Sequence, residues 1–341
     1  MVSDLHGDIN SYNAIMGYLD NIAKEEEVIL YINGDLIDKG IYSVDLLLDV
    51  KKRIETNSPV KIVYLGGDHE WAMIDSYHIM NNDYKYYRDK NIINYEPSGH
   101  EKFINTYWAQ YSVGGSFTKC YMEDMLSMDE IEGLYRFVKN LKIYQKLPDM
   151  LNNKQIVISH ASCPKTVLDN CNLTIDSVSK DVMNYIEKMQ NNYFMKEITD
   201  KEQRYYDILC LSKINRTIME YDINANPGSR DFFTIIGHTP VNNKLGYEYS
   251  KKDNVINIDG GNASYWSGNL DCDHIPLVEI DTINNRLIIL TFNHNNEIIY
   301  GTYFNGSITN MPINDLDHYR SYLNNNAKMY KLDLDLFCVL R

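Results

Sequence analysis

Residues 28–40 read VILYINGDLIDKG: the apolar run Val28 to Ile32 opens directly into Asn33, Gly34 and Asp35. A short apolar run ending in a glycine-bearing polar turn suits a buried strand and the loop at its carboxyl end. The same design recurs. Val60 to Leu65 (VKIVYL) runs into Gly66, Gly67, Asp68 and His69, Gln155 to Ser159 precedes His160, and Phe232 to Ile236 precedes Gly237 and His238. Four strands thus deliver an Asp or a His at one relative place. In α/β sheets ligands collect outside the carboxyl ends of the strands, so residues distant in sequence can meet there.

Working outward, the segment Ser11 to Ala23 carries Tyr12, Ile15, Met16, Leu19 and Ile22 at helical spacing and reads as the helix returning from a first strand. Only Met1 and Val2 precede Ser3 and Asp4, whereas the other strands have about five residues, so residues upstream of Met1 are expected in the natural sequence. Residues 71–150 read as a long insertion, with Met128 to Leu141 helical inside it. Residues 165–230 read as a second insertion, with Val178 to Met189 helical. Such excursions beside a site shape substrate access. Beyond Asn262 the chain turns to strands, Ile275 to Ile280, Arg286 to Phe292 and Glu297 to Phe304. Asn284-Asn285 and Asn295-Asn296 separate them, giving an antiparallel meander over about 275–305. The expectation is one domain over residues 1–341.

Composition limits the partners. Of 341 residues, 44% are hydrophobic and 23% charged, which fits a folded globular chain. A net charge of -14 argues against nucleic acid, whose binding needs Lys and Arg against phosphates. The six cysteines form no Cys-x-x-Cys pair or framework spacing and read as free thiols in a reducing compartment. With no apolar run of about 20 residues and no signal-peptide pattern, the expectation is a soluble cytoplasmic protein without a membrane span. Export by a route that leaves no such mark stays open, and oligomeric state is not legible.

The chemistry lies at the strand ends. Asp4 and His6, two residues apart on an extended tip, face the same side of the chain. Asp35 and Asp68 add carboxylates, and His160 and His238 add imidazoles. Oxygen and nitrogen donors without thiolate suit Mn, Fe or Zn better than Ca. Two ions about 3.5–4 Å apart can clamp a phosphoryl group and acidify a bridging water, which would be the nucleophile. One Asp-bearing turn, or one buried His, has a functional prior of only about one in ten. Five blocks, SDLHGD, NGDLIDKG, GGDHE, ISHAS and IGHTP, each placed at a strand end, make coincidence a poor explanation.

Their order resembles the phosphoprotein phosphatase family of metallophosphoesterases over roughly residues 1–280. The resemblance implies an α/β fold of the calcineurin-like kind, a two-sheet β-sandwich flanked by helices and carrying helical insertions. It also implies that Asp4, His6 and Asp35 hold one divalent ion and that Asp35, Asp68, His160 and His238 hold the other. Manganese is the first expectation, with iron or zinc as alternatives. His69 would protonate the leaving oxygen and Asp38 would orient it. Trp108 to Tyr121 (WAQYSVGGSFTKCY) resembles the Trp and Gly-Gly segment of the bacterial branch, Phe137 to Leu147 its helix before the fourth strand, and Ile258-Asp259-Gly260-Gly261 its late strand-turn; that branch includes phage-type protein phosphatases and symmetrical dinucleoside tetraphosphatases.

Three positions depart from the family pattern. Asp68 stands where Asn is usual, adding negative charge that tightens metal binding and opposes an anionic substrate. Lys39 stands where a phosphate-binding Arg is usual and offers a point charge in place of a bidentate fork. Gly66 stands where protein phosphatases often carry another Arg. Lys213 and Arg216 are candidates for the remaining substrate cation, with solvated surface charge as their equally weighted reading. The leading expectation is hydrolysis of phosphomonoesters on proteins or peptides, at Ser/Thr or Tyr, with Glu70 as the marker favouring that substrate. Dinucleoside polyphosphate cleavage is the alternative, and a catalytically inactive binding module is the alternative of another class.

Overall fold

The computed structural model describes residues 1–25, 27–56, 58–81, 107–110, 114–151, 153–161, 174–177, 231–241, 246–250, 254–262, 274–281, 286–292, 298–304 and 308–312. The expected helix at Val178 to Met189 lies outside them, as do Lys213 and Arg216.

The opening stretch forms the expected units. Strand β1 (Val28–Asn33) pairs in parallel with β2 (Val60–Leu65), joined through helix α2 (Ser43–Glu55). Ahead of them, helix α1 (Ile9–Ile22) begins at Asp8, whose carboxylate accepts the amides of Asn10 and Ser11 and so satisfies donors the first turn cannot. The abbreviated first strand is present as a bridge: Val2 pairs with Ile32 on one side, while the Val278 amide donates to the Met1 carbonyl on the other. This two-residue link joins the β1–β2 pair to the meander of β8 (Ile275–Asp281), β9 (Arg286–Phe292), β10 (Ile298–Phe304) and β11 (Ile308–Pro312).

The second sheet has the order β3-β4-β5-β7-β6, built from β3 (Tyr144–Leu151), β4 (Lys154–Ser159), β5 (Phe232–Ile236), β6 (Glu248–Ser250) and β7 (Val255–Asn257). Its central strands β4, β5 and β7 run parallel, which aligns the ends that carry His160 and His238. Alternation along each strand divides the core in two. Leu65, Ile156, Ile158, Phe233, Ile235, Val278 and Ile289 pack between the sheets. Leu30, Ile32, Val60, Leu277 and Leu290 instead pack outward against Tyr12, Ile15, Leu46, Leu47 and Trp71 of the helices. Strands β8 and β9 therefore bury side chains on both faces. The result is the two-sheet sandwich flanked by helices.

Two segments differ from expectation. Residues 71–80 belong to helix α3 (Asp68–Met80), whose Trp71, Met73 and Ile74 are core, so the long insertion begins later. Its described parts are α4 (Tyr107–Gln110), α5 (Gly115–Met125) and α6 (Met128–Val138); α6 opens with a capping box between Ser127 and Glu130. The helix expected over Phe137 to Leu147 ends at Val138, and from Tyr144 the chain forms β3, the edge strand of the second sheet, with a register shift between Lys146 and Met150 that brackets Pro148. Proline is tolerated at such an edge and hides the strand from a pattern search. Among the described residues no helix is long and apolar enough to cross a membrane.

Candidate metal centre

Backbone conformation marks the site before any side chain is considered. Eight described non-glycine residues have a left-handed φ, and six of them are Asp4, His6, Asp35, Asp38, Lys39 and His238. Such conformations cost roughly 1–3 kcal/mol each and persist where the surroundings impose them, most often at functional sites. Here they turn the chain sharply as it leaves each strand. Gly34 serves the same bend: with φ at +77° it lies against the His160 ring, where a Cβ would collide.

Two sets of donor atoms converge. One is Asp35, Asp68, His160 and His238; the other is His6, Asp35 and His69; within each set the atoms lie within 4.8 Å of one another. Asp35 belongs to both. In the first set Asp68 Oδ1 is 3.1 Å from His160 Nε2 and 2.9 Å from His238 Nδ1, and those two nitrogens are 3.3 Å apart. In the second, His6 Nε2 is 3.6 Å and His69 Nε2 3.8 Å from Asp35 Oδ2. Backbone carbonyls set the ring orientations. His6 Nδ1 donates to Ile37 O at 3.0 Å and His160 Nδ1 to Asn33 O at 2.9 Å, which turns Nε2 of each toward the carboxylates. Buried oxygens and imidazole nitrogens aimed at common points, with no thiolate, are a donor set that fits divalent cations.

Asp4 is close to the centre but lies in neither set. Its carboxylate accepts from Ser3 Oγ and from the His238 amide, so the first strand tip is tied to the last histidine loop. His69, expected only as an acid, takes a place among the possible donors. Its Nδ1 donates to Asp38 Oδ2 at 2.7 Å.

The charge states follow from this crowding. Burial, together with the neighbouring His69 and Lys39 charges, lowers His6 to about 4, leaving it neutral at physiological pH as a ligand must be. Burial raises Asp4 well above the carboxylate range, with Asp259 adding to the effect. For Asp35, burial and Asp68 push upward, but His160 and His69 prevail and bring it down to about 2. Asp68 likewise stays ionised against burial because His238 and His160 face it. Burial would lower His69, yet Asp35, Asp38 and Asp68 together push it up to about 10. Bound cations would share those carboxylates and bring His69 back down.

Three structural roles were not read from the sequence. Glu70, fully buried, bridges the two motif loops: Oε2 accepts the amides of Asp35 and Gly67, and Oε1 accepts the Leu36 amide and the Tyr64 hydroxyl. It braces the two loops. Asn262 donates to the Leu5 carbonyl at 2.5 Å and holds the Asp4–His6 tip from the opposite side. Trp108 and Thr118 both reach Asp38. Only the resemblance of WAQYSVGGSFTKCY to a family segment had drawn attention to that stretch. Lys39 sits beside the site, with Gly114 packed on its backbone amide. At Gly66 the space of a side chain is filled by Ile175, so that position is closed.

A two-sheet sandwich carrying clustered carboxylates and imidazoles at its strand ends defines a metal-dependent phosphoesterase. Residues 1–186 match the family described as calcineurin-like phosphoesterase, and the chain belongs to that family. Among solved structures it is similar to the cold-active protein-tyrosine phosphatase of a psychrophilic Shewanella species, at 16% identity, 91% coverage of this chain, 78% of that chain and a TM-score of 0.40. A second structure of a cold-active protein tyrosine phosphatase matches at 15% identity, 88% and 77% coverage and a TM-score of 0.40. No curated protein matches the sequence.

Proposed function

We propose that the chain hydrolyses phosphomonoesters on proteins or peptides, using two divalent ions, manganese first among them. Asp35, Asp68, His160 and His238 hold one ion, and Asp4, His6 and Asp35 hold the other. The observation that carries this reading is the convergence of Asp68, His160 and His238 on one side of Asp35 and of His6 on the other, with the His69–Asp38 pair alongside. The protein-linked substrate is supported by Glu70 at the end of the GGDHE block, a place where the phosphoprotein phosphatases that this chain resembles carry Glu.

When bound, the cations supply Lewis acidity to the phosphoryl oxygens and lower the pKa of water at the site. The rest falls to the chain. Asp38 accepts the Nδ1 proton of His69, which fixes the ring so that Nε2 presents a proton to the departing oxygen. Lys39, next to Asp38, gives the substrate phosphate a cation. The left-handed turns at Asp35 and Asp38 hold these groups in place before substrate arrives.

The test is turnover by the manganese-loaded protein on phosphoserine, phosphothreonine and phosphotyrosine peptides and on diadenosine tetraphosphate. Turnover of the peptides is expected. Strong turnover of the dinucleotide alone would overturn the substrate assignment, and no turnover of any substrate by fully loaded protein would point to a binding module.

A further inference from the structure

Asp38 is fully buried, and among the described residues three donors converge on its carboxylate. His69 Nδ1 and Trp108 Nε1 donate to Oδ2 at 2.7 and 2.9 Å, while Thr118 Oγ1 donates to Oδ1 at 2.7 Å. The last two come from the insertion between the second and third motif strands, from α4 and α5. Two glycines fit that insertion against the loop. Gly114, with φ at +101°, rests on the Lys39 backbone; Gly115 rests on the Trp108 ring, and a Cβ at either position would collide. Trp108 is itself fully buried, so its indole has one well-defined place.

We propose that Trp108 and Thr118 are positioning residues for the proton donor: by engaging both oxygens of Asp38 they fix the plane of the carboxylate that orients His69. The inference rests on the assignment of His69 as acid made above. An Asp χ2 torsion is soft, so a carboxylate held by one partner could swing and carry the imidazole with it. Donors on both oxygens remove that freedom. On this account the insertion, in addition to shaping access, completes the acid.

A group acting through the acid should matter in proportion to how much the leaving oxygen needs a proton. Alkyl phosphates need it; 2,4-dinitrophenyl phosphate, whose leaving group departs readily as an anion, does not. Thr118→Val and Trp108→Phe are therefore expected to lower kcat on a phosphoserine peptide by about 10- to 100-fold, part of the whole contribution of a general acid. On 2,4-dinitrophenyl phosphate kcat should stay within about threefold and KM within about twofold. Thr118→Ser should recover most of the peptide activity because it restores the hydroxyl. His69→Asn sets the ceiling for the leaving-group-dependent loss.

Equal losses on both substrates would mean a merely structural role, and no loss on either would mean that Asp38 needs no help; each overturns the inference while a selective loss in His69→Asn leaves the acid in place. If His69→Asn itself shows no selectivity, the acid assignment falls and the inference with it. Metal content and unfolding temperature of each variant separate these outcomes from misfolding, and Thr118→Val, which keeps the side-chain shape, carries the test if Trp108→Phe fails to fold.

Discussion

The two halves of the site are held in different ways. The loops after β1 and β2 are stitched together from within: Glu70 spans them through the amides of Asp35, Leu36 and Gly67 and through the Tyr64 hydroxyl. The loops after β4 and β5 take their anchors from across the seam. His160 leans on the Asn33 carbonyl, Asn33 donates back to the Ser159 carbonyl, and the His238 amide rests on Asp4. The carboxylate half is thus preformed, and the imidazole half is placed by reference to it. Damage to the first half should spread to the second, whereas damage to the second should stay local.

Glu70→Ala is the most severe way to break this contrast. It leaves three buried backbone amides and a hydroxyl without their acceptor, at roughly 1–3 kcal/mol per unsatisfied group, so a loss of about 4 kcal/mol is expected in chemical unfolding. Metal affinity should fall with it; a variant that keeps both stability and metal would show that the brace is redundant.

Asp259 sharpens the other side of the comparison. It is fully buried behind His238, accepts the Gly261 amide, and burial raises its pKa from 3.8 to about 6. A carboxyl whose folded pKa lies above its unfolded pKa adds stability while protonated. That contribution is full below about 3.8 and is lost as pH rises through about 6. Metal-free wild-type protein should therefore lose on the order of 2 kcal/mol relative to Asp259→Asn across that window. Urea unfolding of both proteins at pH 4 and pH 7 checks this, and parallel pH profiles would contradict it. The smallest effect is expected from Tyr64→Phe, which removes one of the four donors to Glu70. A cost of about 1 kcal/mol follows, with catalysis nearly unchanged; a large catalytic defect would place Tyr64 nearer the chemistry than its buried position suggests.

What was legible in the sequence was what side-chain pattern alone determines. VILYI, VKIVYL and the runs before His160 and His238 announced buried strands, and the residues at their ends announced the candidate site. The bracing role of Glu70 was not visible, because three of its partners are backbone amides, which no residue pattern displays. Strand β3 was hidden by Pro148 and by its half-polar edge position, and β11 by the shortness of its sequence Ile308-Thr309-Asn310-Met311-Pro312. The left-handed turns at Asp4, His6, Asp35 and Asp38 could not be foreseen, since non-glycine residues enter that region only when surrounding contacts force them. The link from Trp108 and Thr118 to Asp38 depends on how an insertion folds back, a long-range contact without local signature.

The central claim is that Asp35 joins two cation sites into one. Counting the metal bound per chain in manganese-loaded wild-type protein and in Asp35→Asn, alongside hydrolysis rates, tests it most directly. The account predicts two ions in the wild type, at most one in the variant, and a rate lower by at least about 100-fold. Two ions and an unchanged rate in the variant would contradict it.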